Sequence, residues 1–278
     1  MVKPILDIKD LHFGFADKQV LKGIDLSLGA GEALCVFGPN GCGKSTMLEC
    51  ILGLNKAERG EIVIDGENVN SIKASELALK VAFIPQKSMH TFGFTVAQMV
   101  LMGRTAATGM FSSPDKGDER IALECLERVG MLGFKDRIFN SLSGGESQLV
   151  RIARALAQQT KLIIVDEPTS HLDFRHELNV IKYMVGLVKH EGISLLMSTH
   201  FPNHAMFLEN HGVKSRVAIM EDGIFGAVGK ASEVLSETNM ARIFKIKTKV
   251  YKSMESDQPM THIAAVDFSD GGQWGEAH

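Results

Sequence analysis

The chain has 278 residues, 45% of them hydrophobic and 23% charged, with a net charge of −3. That length lets roughly three quarters of the unfolded surface be buried, in one large domain or two small ones, and the composition excludes a disordered chain. No Lys/Arg-rich block marks a nucleic-acid footprint, and no run approaches the roughly 18 apolar residues of a membrane helix, although mean hydropathy is +0.05.

The first third reads as strands and turns. Ile5 to Ile8 is a short strand, Val20 to Leu28 alternates weakly, and Glu32 to Phe37 is a compact apolar strand ending in glycine. Ser45 to Leu54 then has helical spacing (Met47, Leu48, Ile51, Leu52), so strand, Gly-rich turn and helix open an α/β unit. Glu61 to Gly66 closes a hairpin-like piece, and Val81 to Ile84 is a strand stopped by Pro85. Residues 95–157 read as helices broken by Gly103, Gly109, Pro114, Gly130 and Gly133, with an amphipathic stretch over 115–129. This predicts a helical insertion in an α/β core. The pattern resumes with strands over 161–165, 193–197 and 215–220 and a helix over 176–190. Beyond Lys247 the chain turns polar and Gly-rich, which predicts a small appendage or frayed tail over 247–278. The N-terminus lacks an apolar signal core, and Cys35, Cys42, Cys50 and Cys125 have neither metal spacing nor a disulfide framework, so an unsecreted chain with reduced thiols is expected.

Gly38-Pro39-Asn40-Gly41-Cys42-Gly43-Lys44-Ser45 fits G-x-x-x-x-G-K-[ST]. Glycines let backbone N–H groups turn toward phosphates, and the following helix offers its N-terminus to the anion. Lys44 can reach the β- and γ-phosphates, and Ser45 can ligate Mg²⁺. Such a motif arises by chance on the order of 10⁻² times per chain of this length; the preceding strand and following helix sharpen it. Cys42, at a helix N-terminus beside a lysine, is expected to have a lowered pKa unless it is simply a tolerated small residue.

Leu162-Ile163-Ile164-Val165 ends in Asp166-Glu167. Asp166 suits a Mg²⁺ shell, and Glu167 suits a general base for an attacking water. Between the loop and this pair lies Leu142-Ser143-Gly144-Gly145-Glu146, expected by chance on the order of once in 10³ chains. With Gln86, Ser170-His171-Leu172-Asp173 and His200 in the same order, the sequence resembles the ATP-binding-cassette (ABC) ATPases over residues 5–244.

The resemblance implies a P-loop NTPase core of the RecA-like α/β class, with an N-terminal antiparallel β subdomain and an inserted helical subdomain near 95–157. An ABC ATPase domain over 1–246 would precede the tail. It implies ATP and Mg²⁺ as ligands and a homodimer with two ATP molecules sandwiched between its subunits. Gly38, Asn40, Gly41, Gly43, Lys44, Ser45 and Thr46 would form one wall. Ser143, Gly144 and Gly145 would close the site from the other protomer; Ser143 could also cap its helix. Glu167, Gln86 and His200 would be catalytic, with Ser45, Gln86 and Asp166 around the metal, and Asp173 would communicate across the dimer. Phe15 resembles the aromatic that stacks on adenine; Phe13, two residues away, is its competitor. His200 and His204 are four apart, a zinc-like spacing, but no third ligand is evident and Pro202 intervenes.

A long coiled coil, as in chromosome-maintenance ATPases, is absent between Lys44 and Ser143, and each motif occurs once, unlike the two-cassette translation proteins. The segments 95–104 and 198–204 resemble the uptake systems for iron–siderophores, haem, cobalamin and oxyanions such as molybdate. That implies an ATPase subunit on the cytoplasmic face of the inner membrane, peripheral to a membrane permease dimer and served indirectly by a substrate-binding protein, with no nucleic acid. The apolar residues Val96, Met99, Val100 and Met102 could face the permease or pack the insertion's own core. A soluble ABC ATPase of iron–sulfur cluster assembly or translation is the alternative.

Overall fold

The computed structural model describes residues 3–16, 18–86, 93–108, 113–170, 172–255 and 258–269; Gly109, His171 and the closing segment from Asp270 to His278 lie outside them. The strands are β1 (Leu6–Phe15), β2 (Lys18–Leu28), β3 (Ala33–Phe37), β4 (Arg59–Ile64), β5 (Glu67–Asn68), β6 (Val81–Ile84), β7 (Leu162–Asp166), β8 (Ser194–Thr199), β9 (Ser215–Glu221), β10 (Ile224–Gly229), β11 (Ile246–Glu255) and β12 (Gln258–Phe268). The helices are α1 (Lys44–Ile51), α2 (Ala74–Leu77), α3 (Val96–Leu101), α4 (Thr105–Thr108), α5 (Lys116–Arg128), α6 (Gly144–Ala157), α7 (Phe174–Glu191), α8 (Pro202–Asn210), α9 (Ala231–Val234) and α10 (Glu237–Phe244).

An antiparallel sheet in the order β2-β1-β4-β5 packs beside a six-stranded sheet in the order β10-β9-β3-β8-β7-β6, parallel except for β10. The large sheet is buried on both faces, as parallel sheets are, and its pleat divides two cores. Ala33, Cys35 and Phe37 point into one core with Ile163, Val165, Leu195 and Met197. Leu34 and Val36 point into the other with Leu162, Ile164 and Leu196, against α1 and the antiparallel sheet. β1 is ten residues long rather than the four expected, because β2 and β4 pair with it on both sides. Asp10, at a φ of +48°, shifts its register by a bulge that interrupts the alternation on which a sequence reading depends.

The helical insertion is present as α3 to α6. Asp115 caps α5 through the N–H of Asp118, and Arg104 bonds Asp118 (2.9 Å), the Ala157 carbonyl (2.8 Å) and Gln159 (2.9 Å), locking the segment before α4 onto α5 and α6. That hydrogen-bonded guanidinium holds the Asp118 carboxyl below the usual carboxylate range. Gly103 has no room for a side chain: a Cβ would sit 2.3 Å from the Arg154 carbonyl oxygen. Val96 and Val100 are fully buried, so of the two places open to them they take the core. Met99 and Met102 line a surface groove with Leu52, Leu54, Phe83, Phe139, Arg151 and Arg154, a cavity of about 660 Å³.

Strands β11 (Ile246–Glu255) and β12 (Gln258–Phe268) pair antiparallel, so this part of the chain is a small appendage rather than a frayed tail. Two asparagines of α8 carry it. Asn203 donates to the Ile263 carbonyl (3.0 Å) and accepts from the Ile263 N–H (3.0 Å); Asn210 does the same with Thr261 (2.9 and 3.0 Å). Seven residues apart on the helix, they meet alternate residues of β12, so their amides take the place of a neighbouring strand.

Candidate active site

In the large sheet β3, β8, β7 and β6 are adjacent and parallel, so their carboxyl ends share one edge. The register aligns Phe37 with Thr199, Asp166 with Ser198, and Ile84 with Val165. Residues just past these ends, Gly38 onward, His200, Glu167 and Gln86, therefore converge at the crevice where open α/β sheets bind ligands.

The loop after β3 turns through Gly41 (φ +78°) and Gly43 (φ +110°), conformations that glycine tolerates. Gly43 caps α1 with no side-chain bond, so the helix presents its first N–H groups uncapped. The Lys44 ammonium donates to the carbonyls of Gly38 (2.7 Å) and Pro39 (3.0 Å) and is 5% exposed. Asn40, Gly41, Gly43, Lys44, Ser45 and Thr46 line a cavity of about 640 Å³, and Gln86, Glu167, Ser170 and His200 line its far side.

Glu167 is the meeting point. Its Oε2 accepts from Gln86 Nε2 (2.6 Å) and Ser170 Oγ (3.0 Å), and His200 Nδ1 lies 3.3 Å away. The residue has a φ of +45°, a left-handed conformation that costs a non-glycine residue on the order of 1 kcal/mol or more. Its own N–H donates to Ser198 Oγ (3.0 Å), and the Ser198 hydroxyl donates to Asp166. One serine of β8 thus fixes both acids at the end of β7.

Several residues expected at the site lie outside the cavity lining. Gly38 is wedged in the fold, where a Cβ would sit 2.4 Å from the Met220 carbonyl oxygen. Asp166 is buried behind the crevice. Phe15 is 54% exposed, whereas Phe13 is buried, and their rings meet edge-on at 4.8 Å. Ser143, Gly144 and Gly145 stand at the start of α6, away from the crevice of their own chain. Ser143 accepts the N–H of Glu146 (3.3 Å) while Glu146 accepts that of Ser143 (2.8 Å), a reciprocal cap that holds the Glu146 carboxyl below the usual range. Gly145 is pressed by His176, whose ring would lie 2.0 Å from a Cβ there; His176 in turn bonds Asp173, the cap of α7. These N–H bonds, His176's first, also hold Asp173 low.

Two weaker readings of the sequence fail in the structure. Burial outweighs the nearby Lys44 and pushes the Cys42 thiol up, which favours the tolerated small residue over an activated thiol. His200 and His204 are not a metal pair: His200 faces Glu167, while both ring nitrogens of His204 are bonded, to Thr199 (2.8 Å) and Glu177 (2.7 Å). Among the described residues no cluster of three His, Cys, Asp or Glu side chains is placed to hold a metal. A sequence reading misses Ser170, Ser198, Val20 and Phe201. The signal for Ser198 is a hydroxyl pair, Ser198-Thr199, closing an otherwise apolar strand; Val20 and Phe201 carry none.

A parallel sheet whose carboxyl edge gathers a glycine loop, a helix start and a hydrogen-bonded glutamate defines a P-loop nucleotide-hydrolysing cassette. Comparison with known proteins makes the class particular. The ABC transporter family profile matches residues 21–170, more than half of the chain. An uncharacterised ABC transporter ATP-binding protein of Haemophilus influenzae is 38% identical over 242 residues, 87% of this chain and 89% of that protein. The iron(3+)-hydroxamate import ATP-binding protein FhuC of Bacillus subtilis is 30% identical over 92% of this chain and 93% of its own. A metal-chelate-type ABC transporter solved in an inward-facing conformation superimposes with a TM-score of 0.82 at 28% identity, covering 95% of this chain and 98% of that one. The chain belongs to the ABC transporter family, and it is an ATPase.

Proposed function

We propose that this chain is the ATP-hydrolysing subunit of an importer for a metal chelate (iron–siderophore, haem or cobalamin) or an oxyanion, with a separate membrane permease. The observation that carries the catalytic part is the Glu167 carboxylate, fixed by Gln86 and Ser170 and faced by His200, opposite the Lys44 loop. Among the described residues no helix is long and apolar enough to cross a membrane, and a separate permease is the proposed pathway for cargo. The iron-hydroxamate and metal-chelate relatives support the cargo class. The groove lined by Met99, Met102, Leu54 and Phe83 is the proposed seat of a cytoplasmic permease helix, and docking there would hold the subunit on the cytoplasmic side of the membrane. A substrate-binding protein would act on the far side, without touching this chain.

ATP seats its phosphates on the N–H groups of Gly41 to Thr46, with Lys44 turned from the loop carbonyls to the β- and γ-oxygens. Ser45, Asp166 and Gln86 form an all-oxygen donor set of hydroxyl, carboxylate and amide, which fits Mg²⁺. That ion, when bound, neutralises charge on the transferring phosphate. Glu167 accepts a proton from water as it attacks the γ-phosphorus, Gln86 orients that water, and His200 donates toward the γ-phosphate. Phe15, exposed at the end of β1, is the proposed stacking partner of adenine. Ser143, Gly144 and Gly145 do not line their own crevice, which supports their closing the site of a second copy. ATP then holds two subunits shut, and its hydrolysis releases them.

Glu167→Gln tests this. ATP binding is retained, turnover falls at least 10²-fold, and a closed dimer accumulates by light scattering. Rapid turnover would move the base elsewhere. Tagged Glu167→Gln chain, incubated with Mg-ATP and detergent-solubilised membranes, should retain a polytopic permease; only soluble partners would favour a cluster-assembly or translation ATPase.

A further inference from the structure

Behind the crevice, His204 of α8 is 4% exposed and touches three segments that each carry part of the site. Its Nδ1 lies 2.8 Å from Thr199 Oγ1, at the end of β8 and one residue before His200. Its Nε2 lies 2.7 Å from Glu177 Oε1, one turn into the helix that Asp173 caps, and 3.5 Å from Thr169 Oγ1, two residues past Glu167. The partners settle the tautomer. A carboxylate accepts, so Nε2 carries the proton and donates to Glu177, which leaves Nδ1 to accept the Thr199 hydroxyl. The Thr199 oxygen in turn accepts the N–H of Phe201 (3.0 Å), whose ring lies 4.0 Å from that of His200 and 5.2 Å from that of His204. The bonds run in one direction, from the Phe201 N–H through Thr199 and His204 to Glu177, and the residue between the two backbone anchors is His200.

We infer that His204 is a positioning residue for hydrolysis: bonded to Thr199 and Glu177, it fixes the backbone from Thr199 to Phe201 and so holds the His200 ring against Glu167. Any shift of the start of α7 passes through Glu177 to the same ring. The inference rests on the roles proposed above for Glu167 and His200. It explains why a histidine is buried here at all, since burial lowers its pKa and leaves its charged form disfavoured. A neutral ring that bonds through both nitrogens, one donating and one accepting, does what an apolar residue of that size cannot.

The test uses the full-length chain and reads kcat, the dissociation constant of ATP and the thermal midpoint separately. His204→Ala and Glu177→Ala are each expected to lower kcat about tenfold, with ATP affinity changed less than twofold. Glu177→Gln keeps an oxygen acceptor for the Nε2 proton and is expected to restore most of kcat. The separating measurement is a double-variant cycle: adding His204→Ala to His200→Ala lowers kcat no further if His204 acts through His200. Should His204→Ala fail to fold, Glu177→Ala and Glu177→Gln on the partly exposed side carry the same cycle. Wild-type kcat in both single variants, or losses that multiply with that of His200→Ala, would overturn the inference while the catalytic reading stands. Wild-type kcat in His200→Ala would overturn both.

Discussion

Helix α8 separates two kinds of attachment. At its N-terminal side, three strand ends bring side chains of different chemistry onto one carboxylate: an amide, a hydroxyl and an imidazole converge on Glu167. Along its outer side, two identical amides hold the backbone of β12 by imitating a strand. The first arrangement depends on which groups are present and tolerates few exchanges. The second depends on spacing and reads no side chain of the hairpin. A reaction centre is therefore specified by chemistry, and the appendage by register.

Substitution at the crevice edge should give the largest effect. Gly38→Ala places a methyl group 2.4 Å from a backbone oxygen of β9, where no flexible side chain can yield. Overpacking of that kind costs about 3 kcal/mol, and the urea midpoint should fall accordingly with ATP binding lost. An unchanged midpoint would mean the loop and β9 are less tightly joined than the distances imply. On the hairpin side, Asn203→Ala with Asn210→Ala removes four hydrogen bonds, worth about 0.5–1.5 kcal/mol each at most. Hydrogen exchange should show the Thr261 and Ile263 amides losing protection while those of β3 and β8 keep theirs. Loss of protection across the large sheet would tie the hairpin to the core more closely than the comparison allows.

The same contrast governs what the sequence discloses. The phosphate loop and the Asp166-Glu167 pair are legible because their chemistry is local, carried by consecutive residues. The approach of Gln86, Ser170 and His200 to one oxygen is not, since it follows from the strand order β3-β8-β7-β6 and its register. The family resemblance implies roles for Gln86 and His200 and none for Ser170 and Ser198. The hairpin is hidden for another reason. On β11, exposed Lys247 and Lys249 alternate with inward Ile246, Thr248 and Val250 for only five residues before exposed Tyr251 and Lys252 break the pattern, so the strand is easily read as polar tail. Its anchors lie about 50 to 60 residues away, as two ordinary asparagines. The alternation that marks β1 in the sequence ends at Ile8, just before the bulge at Asp10.

Cys42 offers a smaller contrast inside the loop. All four cysteines are buried, and burial pushes Cys35 and Cys50, the latter beside Glu49, up to about 12. For Cys42 the direction is the same. At pH 7.5 mass spectrometry should find it unmodified by iodoacetamide when denatured chain is fully labelled. Fast labelling that ATP suppresses would restore it as an exposed, activated thiol.

The smallest expected effect lies at Ser143, where chemistry and register meet in one cap. Ser143→Ala removes the oxygen that accepts the Glu146 N–H, a loss of about 1 kcal/mol. Glu146 supplies the other half. Its folded pKa is depressed, first by the Ser143 N–H, so its contribution is present above the ordinary carboxyl pKa and is lost as pH falls through the lowered folded value. Because the residue is only half-buried, screening keeps that contribution small. Glu146→Gln retains an acceptor without the charge, so its melting temperature should fall less steeply than the parent's as pH drops below about 4. Superimposable acid limbs would mean that the cap works through hydrogen-bond geometry alone. The signature loop would then resemble the asparagine clamp more than the crevice it is proposed to close.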